Sequence, residues 1–293
     1  MAQQVNFVTL DVFTSKPYSG NPLAVVFLPE PGVSKISQSQ KLTIAKQFNL
    51  SETVFLHPAS WFQYLSPNQQ DKGEVECLVT KSGDIPISLQ SGSAGNSVVA
   101  QIAHNVRLHA KGYPLRELLR LHGSLAPYLA DRKANDVSFP VFSVVNGMSQ
   151  IHIELPSLEA LSAVTASNGG EMVDEESGYL DEGWRNGHCV LYFYVPGVYD
   201  EQRGTKVIRT RMILGNLEDP ATGSAASGLV AYLAMKEGSA GTYKHHIVQG
   251  VEMGRRSDIG IEIVINGKSQ VERLDLKGAV VQVAEGNIRI PQE

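Results

Sequence analysis

Residues Glu218 to Gly228, EDPATGSAASG, are the part of this chain best suited to chemistry. Asp219 stands before a loop of small residues that runs straight into the low-polarity stretch LVAYLAMK. A helix that starts this way exposes its first backbone N–H groups, which carry partial positive charge. The small residues Gly223, Ser224 and Ala225 would let an anion come close to those groups. The pattern predicts a cradle for a carboxylate or a phosphate. It equally suits a tight helix start packed on a neighbouring strand with no ligand. No Gly-Lys-Ser/Thr follows and GxGxxG is absent, so neither the nucleotide P-loop nor the dinucleotide fingerprint is present.

A second candidate is Glu52 in NLSETVF, just ahead of an apolar strand. Burial there would raise the pKa of its carboxyl group and suit it to proton transfer near neutral pH. The alternative is an ordinary glutamate at a strand edge in water. The histidines, among them His104, His109, His122, His188 and the pair His245-His246, show no ligand-like spacing with carboxylates. Cys77 and Cys189 lie among apolar, β-prone neighbours and read as buried reduced thiols. No CxxC or HExxH occurs, so no metal site is expected. Ser224 could be a hydrolytic nucleophile, but no GxSxG elbow exists.

Several elements must position these groups. Phe7 to Phe13 alternates as a strand, Ser19-Gly20-Asn21-Pro22 is a turn signal, and Leu23 to Leu28 is a second strand. Leu42, Ala45 and Phe48 recur at helical spacing over residues 38–49. Strands are predicted at Thr53–Leu56, Cys77–Thr80, Ile85–Leu89 and Val98–Leu108. Further strands are predicted at Phe139–Val145, Ile151–Leu155, Val190–Val195, Val207–Ile213 and Ile259–Ile265. Helices are predicted from Pro114, after Pro156, and from Ser224 to Lys236. Ala130–Asp136 is polar and reads as a boundary between residues 1–129 and 130–293. Many strands and few, widely separated helices disfavour a doubly wound parallel sheet. An α+β fold of two similar lobes fits better.

The 293 residues are 42% hydrophobic and 19% charged, a globular composition. Net charge is −5 and no basic run exceeds Arg255-Arg256, which argues against a nucleic-acid partner. No window approaches 18 apolar residues, and the start MAQQVNFVTLDVF has no basic region leading into an apolar one. No membrane span and no leader are therefore expected, and the expected compartment is the cytoplasm.

Five motifs in order resemble the phenazine-biosynthesis PhzF-like family. They are VTLDVFTSKPYSGNPLAVV, NLSETVF, EDPATGSAASGLVAYL, VQGVEMGRRS and the terminal GAVVQVAEGNIRI. The resemblance spans most of the chain. It implies a diaminopimelate-epimerase-like α+β fold, with two pseudo-symmetric lobes around an active-site cleft. Each lobe would be a mostly antiparallel sheet around a central helix, with the last strand returning to the first lobe. It implies a cofactor-independent isomerase acting on a small carboxylate, with Glu52 as general acid/base facing the helix start near Ser224. It assigns catalytic roles to Glu52 and Asp219, and substrate binding to Asn21, Gly223, Ser224 and Ala225. Racemisation by two opposed thiols is not implied, because Ser224 stands where the second thiol would be. The family is often dimeric, but no residue here fixes the oligomeric state.

One family feature is missing. A strand and a Gly-His-Pro-Thr loop that open the first lobe's central helix have no counterpart, and the gap falls near Ala59–Ser60. The run Ser91–Ala103 matches Thr222–Ala234 at six of thirteen positions and could be a degenerate copy of that helix. Its flanks, DIPISL and HNVRLH, favour a hairpin. A first lobe shortened in this way leaves two functional expectations, an active isomerase and an impaired or purely binding relative.

Overall fold

The computed structural model describes residues 3–29, 36–57, 77–80, 83–92, 95–129 and 137–292. The chain forms two compact units, Met1–Val98 with Ala279–Glu293, and Val99–Gly278. The boundary expected at residues 130–136 and the gap expected at Ala59–Ser60 both lie outside the described residues.

Unit 1 is built on β1 (Gln4–Val12), β2 (Asn21–Phe27), α1 (Gln38–Phe48) and β3 (Glu52–Leu56). It also holds β4 (Cys77–Thr80), β5 (Gly83–Gly92) and the start of β6 (Gly95–Gln101). β1 is antiparallel to β2, and β2 is parallel to β3. α1 begins at a capping box between Ser37 and Gln40 and ends at Asn49 in the left-handed conformation. Ile44 is its buried anchor, and Phe48 meets Phe7 edge-on with ring centroids 5.0 Å apart. Leu42, expected on the inner face, is exposed. The helix instead turns Gln40, Lys41 and Ile44 inward, and Lys41 Nζ lies 5.7 Å from the Phe55 ring centroid. β5 pairs with β6, so Ser91–Ala103 starts as the favoured hairpin and not as a helix. Along β3, Thr53 and Phe55 are half-buried while Glu52, Val54 and Leu56 are exposed. Among the described residues, α1 is the one helix of this unit.

Unit 2 continues with β7 (Arg107–Leu108), β8 (Tyr113–Pro114), α2 (Leu115–Leu121), α3 (Ala126–Leu129) and β9 (Ser138–Phe139). The main sheet follows as β10 (Val141–Val145), β11 (Met148–Glu154), β12 (His188–Asp200) and β13 (Thr205–Leu214), with α4 (Leu158–Ser162) between β11 and β12. β14 (Leu217–Asp219), α5 (Gly223–Glu237), β15 (Gly241–Gln249), β16 (Ser257–Ile265) and β17 (Val271–Arg289) complete the chain. The sheet runs β7-β10-β11-β12-β13-β15-β16-β17, with β11–β12 and β13–β15 parallel. From Ala279 onward, β17 belongs to unit 1, where it lies antiparallel to β1.

Both faces of this sheet are covered. Ile151, Ile153, Leu191 and Phe193 pack with Leu115, Leu118, Leu121 and Leu161. The alternate residues Phe142 and His152 face Tyr232 of α5. That is why the strands read as continuous apolar runs. α5 is buried along most of its length, as its low polarity requires. Two strand predictions are corrected. Val98–Leu108 is not one strand, because β6 stops at Gln101 and the Ile102 amide bonds Leu274 O. β12 does not stop at Val195, because a bulge at Pro196-Gly197 absorbs the missing proline N–H and pairing resumes at Val198.

Candidate active site

In unit 2 the β13–β14 hairpin delivers Asp219. Arg211 is buried beneath it and grips Glu218 through two bonds, Nε to Oε1 and Nη2 to Oε2, both 2.7 Å. The Arg211 Nη1 also donates to Leu161 O at 3.0 Å and Val164 O at 2.7 Å, tying the hairpin to α4. After Asp219 the chain passes through buried Pro220 and Ala221 to Thr222, the residue that starts α5.

Thr222 does not cap its own helix. Its hydroxyl donates to Asp219 Oδ2 at 2.6 Å. Gln249, fully buried at the end of β15, donates from Nε2 to Asp219 O at 2.7 Å and to Thr222 Oγ1 at 3.0 Å. Its Oε1 accepts from the Thr222 amide at 3.3 Å and from the Tyr192 hydroxyl at 3.1 Å. The first helical bond of α5 runs from the Ala226 amide to Thr222 O at 2.9 Å. The amides of Gly223, Ser224 and Ala225 thus have no acceptor within the helix. No acidic residue stands in the first turn to neutralise them. Gly223 and Ser224 are half-buried and Ala225 is buried, so what they offer an anion is backbone N–H.

In unit 1 two sequence motifs are brought together. The Ser51 hydroxyl donates to Asn21 Oδ1 at 2.6 Å, which ties the residue before Glu52 to the start of β2. Glu52 opens β3 in register with Leu23. It is exposed, which is the strand-edge alternative and not the buried one: the strand's alternation turns it outward with Val54 and Leu56. Asp11, buried in β1, accepts from the Tyr18 amide at 2.6 Å and organises the β1–β2 turn. Gly20 there has φ +65, and a Cβ would fall 2.2 Å from Val12 O.

The buried histidines His109, His122 and His152 belong to the folded interior. Among the described residues no group of histidine, cysteine and carboxylate side chains could hold a metal ion. His109 Nδ1 accepts from the Asp181 amide at 3.0 Å, so its Nε2 carries the proton and donates to Ser143 Oγ at 2.8 Å. This serine is fully buried and passes the chain on to Ser149, so the Ser-His-Asp set pins strands and is no nucleophile. Burial holds His109 below its usual pKa, and pushes His122 down to about 4 and His152 to about 3. Cys189 is a buried free thiol as expected, whereas Cys77 is only half-buried.

The family model described as phenazine biosynthesis-like protein (PhzC-PhzF) matches residues 10–65 and 61–286. The chain belongs to that family. It is an isomerase-type enzyme of the phenazine biosynthesis-like group. A curated relative, the trans-2,3-dihydro-3-hydroxyanthranilate isomerase of Pseudomonas fluorescens, is 27% identical over 312 residues, covering 97% of this chain and 99% of the relative. The crystal structure of the Bacillus anthracis phenazine biosynthesis protein of the PhzF family superposes with a TM-score of 0.70 at 18% identity, over 98% of this chain and all of that one. A hydroxyproline epimerase from Agrobacterium vitis, solved with trans-4-hydroxy-L-proline, gives a TM-score of 0.58 at 11% identity, over 97% and 91%. These likenesses carry the α+β epimerase-type fold. No helix among the described residues is long and apolar enough to cross a membrane.

Sequence reasoning missed Thr222, Gln249, Tyr192 and Ser51. Thr222, Gln249 and Ser51 lie inside the motifs EDPATGSAASG, VQGVEMGRRS and NLSETVF, but Gln249 and Ser51 find their partners far away in sequence.

Proposed function

We propose that this enzyme shifts a proton on a small, conjugated, carboxylate-bearing metabolite. Glu52 is the general acid/base. The amides of Gly223, Ser224 and Ala225 hold the carboxylate, and Asp219 orients the reacting part of the substrate. The observation that carries this is the start of α5: three amides without a helical acceptor, no acidic neighbour in the first turn, and a Thr222 hydroxyl turned away from capping them.

The step balances without a cofactor. The Glu52 carboxylate takes a proton from an activated carbon, and the electron pair moves into the conjugated system. The developing negative charge on the carboxylate is stabilised by the amides, worth more where water is excluded. Protonated Glu52, exposed to solvent, exchanges its proton with water and then delivers one to another carbon. The relative from Pseudomonas fluorescens, an isomerase of a dihydro-hydroxyanthranilate, supports a substrate of this kind. Exposure of Glu52 leaves it free to meet a substrate. Asn21, bonded to Ser51, fixes the strand start that carries it.

Trans-2,3-dihydro-3-hydroxyanthranilate in deuterium oxide, followed by NMR, is the test. Deuterium should appear at the reprotonated carbon, and Glu52→Gln should lose roughly 10²–10⁴-fold in turnover while staying folded. Unchanged turnover in that variant removes Glu52 from the mechanism.

A second reading, an impaired or purely binding relative, is favoured by one observation. The alignment with that relative covers 312 positions against the 293 residues here, so the relative carries residues with no counterpart in this chain. That reading predicts saturable binding of the same acid with no deuterium incorporation.

A further inference from the structure

We infer that Gln249 is a positioning residue, whose side-chain amide sets the direction of the Thr222 hydroxyl and through it the orientation of the Asp219 carboxylate. The inference rests on the proposed function, in which Asp219 and the start of α5 hold the substrate.

The orientation of the amide follows from its backbone partners. The Thr222 amide, 3.3 Å away, can only donate, so Oε1 must face it. Asp219 O, 2.7 Å away, can only accept, so Nε2 must face that side. The opposite rotamer would set donor against donor and acceptor against acceptor in a fully buried place. With Nε2 fixed, its other proton points at Thr222 Oγ1, 3.0 Å away. The Thr222 hydroxyl therefore accepts from Gln249, and its own single proton goes to Asp219 Oδ2 at 2.6 Å. The chain has one direction: Gln249 amide, Thr222 hydroxyl, Asp219 carboxylate. Tyr192 on β12 holds the far end through its bond of 3.1 Å to Oε1.

Folding by itself does not ask for this arrangement. A threonine at a helix start ordinarily turns its hydroxyl onto the first-turn amides. Thr222 forgoes that, and Gln249 is the group that holds its hydroxyl elsewhere. The diversion orients a carboxylate and leaves amides for an anion in one stroke.

The test compares Thr222→Val, which removes the hydroxyl and keeps the shape, with Thr222→Ser, which keeps the hydroxyl. Gln249→Glu, which puts an acceptor where Nε2 was, is the third variant. Turnover of trans-2,3-dihydro-3-hydroxyanthranilate by Thr222→Val should fall roughly tenfold to a hundredfold in kcat, with little change in KM. Thr222→Ser should recover most of it. In a Gln249→Glu background Thr222→Val should cost nothing more, because the chain is already broken. The ¹³C shift of the Asp219 carboxyl, read without substrate, should move in Thr222→Val and in Gln249→Glu and stay near wild type in Thr222→Ser. A lowered Tm with unchanged kcat per folded molecule, multiplicative effects of the two substitutions, or an unmoved carboxyl signal in Thr222→Val overturns the inference. Glu52→Gln and Asp219→Asn, run alongside, separate the two failures. Wild-type turnover in both sinks the proposed function. Loss in both, with a fully active Thr222→Val, sinks only the role of Gln249. The carboxyl signal decides that role even for a protein that leaves this probe unconverted.

Discussion

The side-chain nitrogen of Gln150 donates to Ser224 O at 3.1 Å and lies where a Cβ on Gly228 would come within 1.9 Å. A buried strand side chain and a bare helix backbone thus occupy the same space, and α5 sits against β11 only because residue 228 has no side chain.

Gly228→Ala should therefore destabilise unit 2 despite the better helix propensity of alanine. Propensity returns about 1 kcal/mol, while overpacking a buried site costs about 1–3 kcal/mol. A net loss of up to about 2 kcal/mol is expected in urea unfolding. Shortening Gln150 to Ser in the same chain should recover part of it. A stabilised Gly228→Ala protein would show that the contact relaxes freely.

Gly250 follows Gln249 with φ +74, and a Cβ there would lie 2.6 Å from Arg255 O and 2.7 Å from Pro220 O. Gly250→Ala should cost about 1–2 kcal/mol for the backbone conformation alone. Because both neighbours are backbone, Pro220 must move, and it adjoins Asp219. Turnover should fall by more than the loss of folded protein explains. Tm and kcat measured on one preparation check this.

Arg211 answers both carboxylate oxygens of Glu218 and three carbonyls of the α4 region. Arg211→Met strands all of them in a buried place, and about 3–5 kcal/mol should be lost. Arg211→Lys keeps the charge but lacks the fork, so it should fall between the two. Chemical denaturation ranks the three proteins. Equal stability of the lysine variant and wild type would contradict the fork argument.

Stability should decline in mild acid. His122 and His152 are kept neutral by burial, with pKa values pushed down to about 4 and about 3. Above pH 6.5 they are neutral in the folded and the unfolded chain alike, and their contribution is fully present. Below it the unfolded chain takes up protons that the folded chain refuses, until pH falls through the folded values. Each histidine then removes up to about 1.4 kcal/mol per pH unit, so the pair should cost about 3 kcal/mol between pH 6.5 and 5. His109 and the neighbours His245 and His246 are lowered in the same direction. Urea midpoints at pH 7, 6 and 5 measure the slope. A flat profile would mean the buried rings find proton acceptors on opening locally.

Much of this protein could be read from local pattern. The α5 helix at Gly223–Glu237, the capped α1 and most strands of unit 2 follow from apolar runs and turn residues, which act over a few neighbours. The order of the motifs identifies the family, and the small residues at 221–225 mark where α5 starts. Pairing was another matter. Which face of α1 turns inward depends on its packing against Phe7, distant in sequence, and Phe55 on β3, so helical spacing alone does not show that Leu42 faces outward. The outward turn of Glu52 came from strand alternation relative to α1, not from the apolar residues beside it. The Gln249–Thr222–Asp219 chain needed three elements brought together by sheet order and the parallel β13–β15 pairing. Hydrogen bonds are short and directional, so only the tertiary structure could decide which polar groups share a proton.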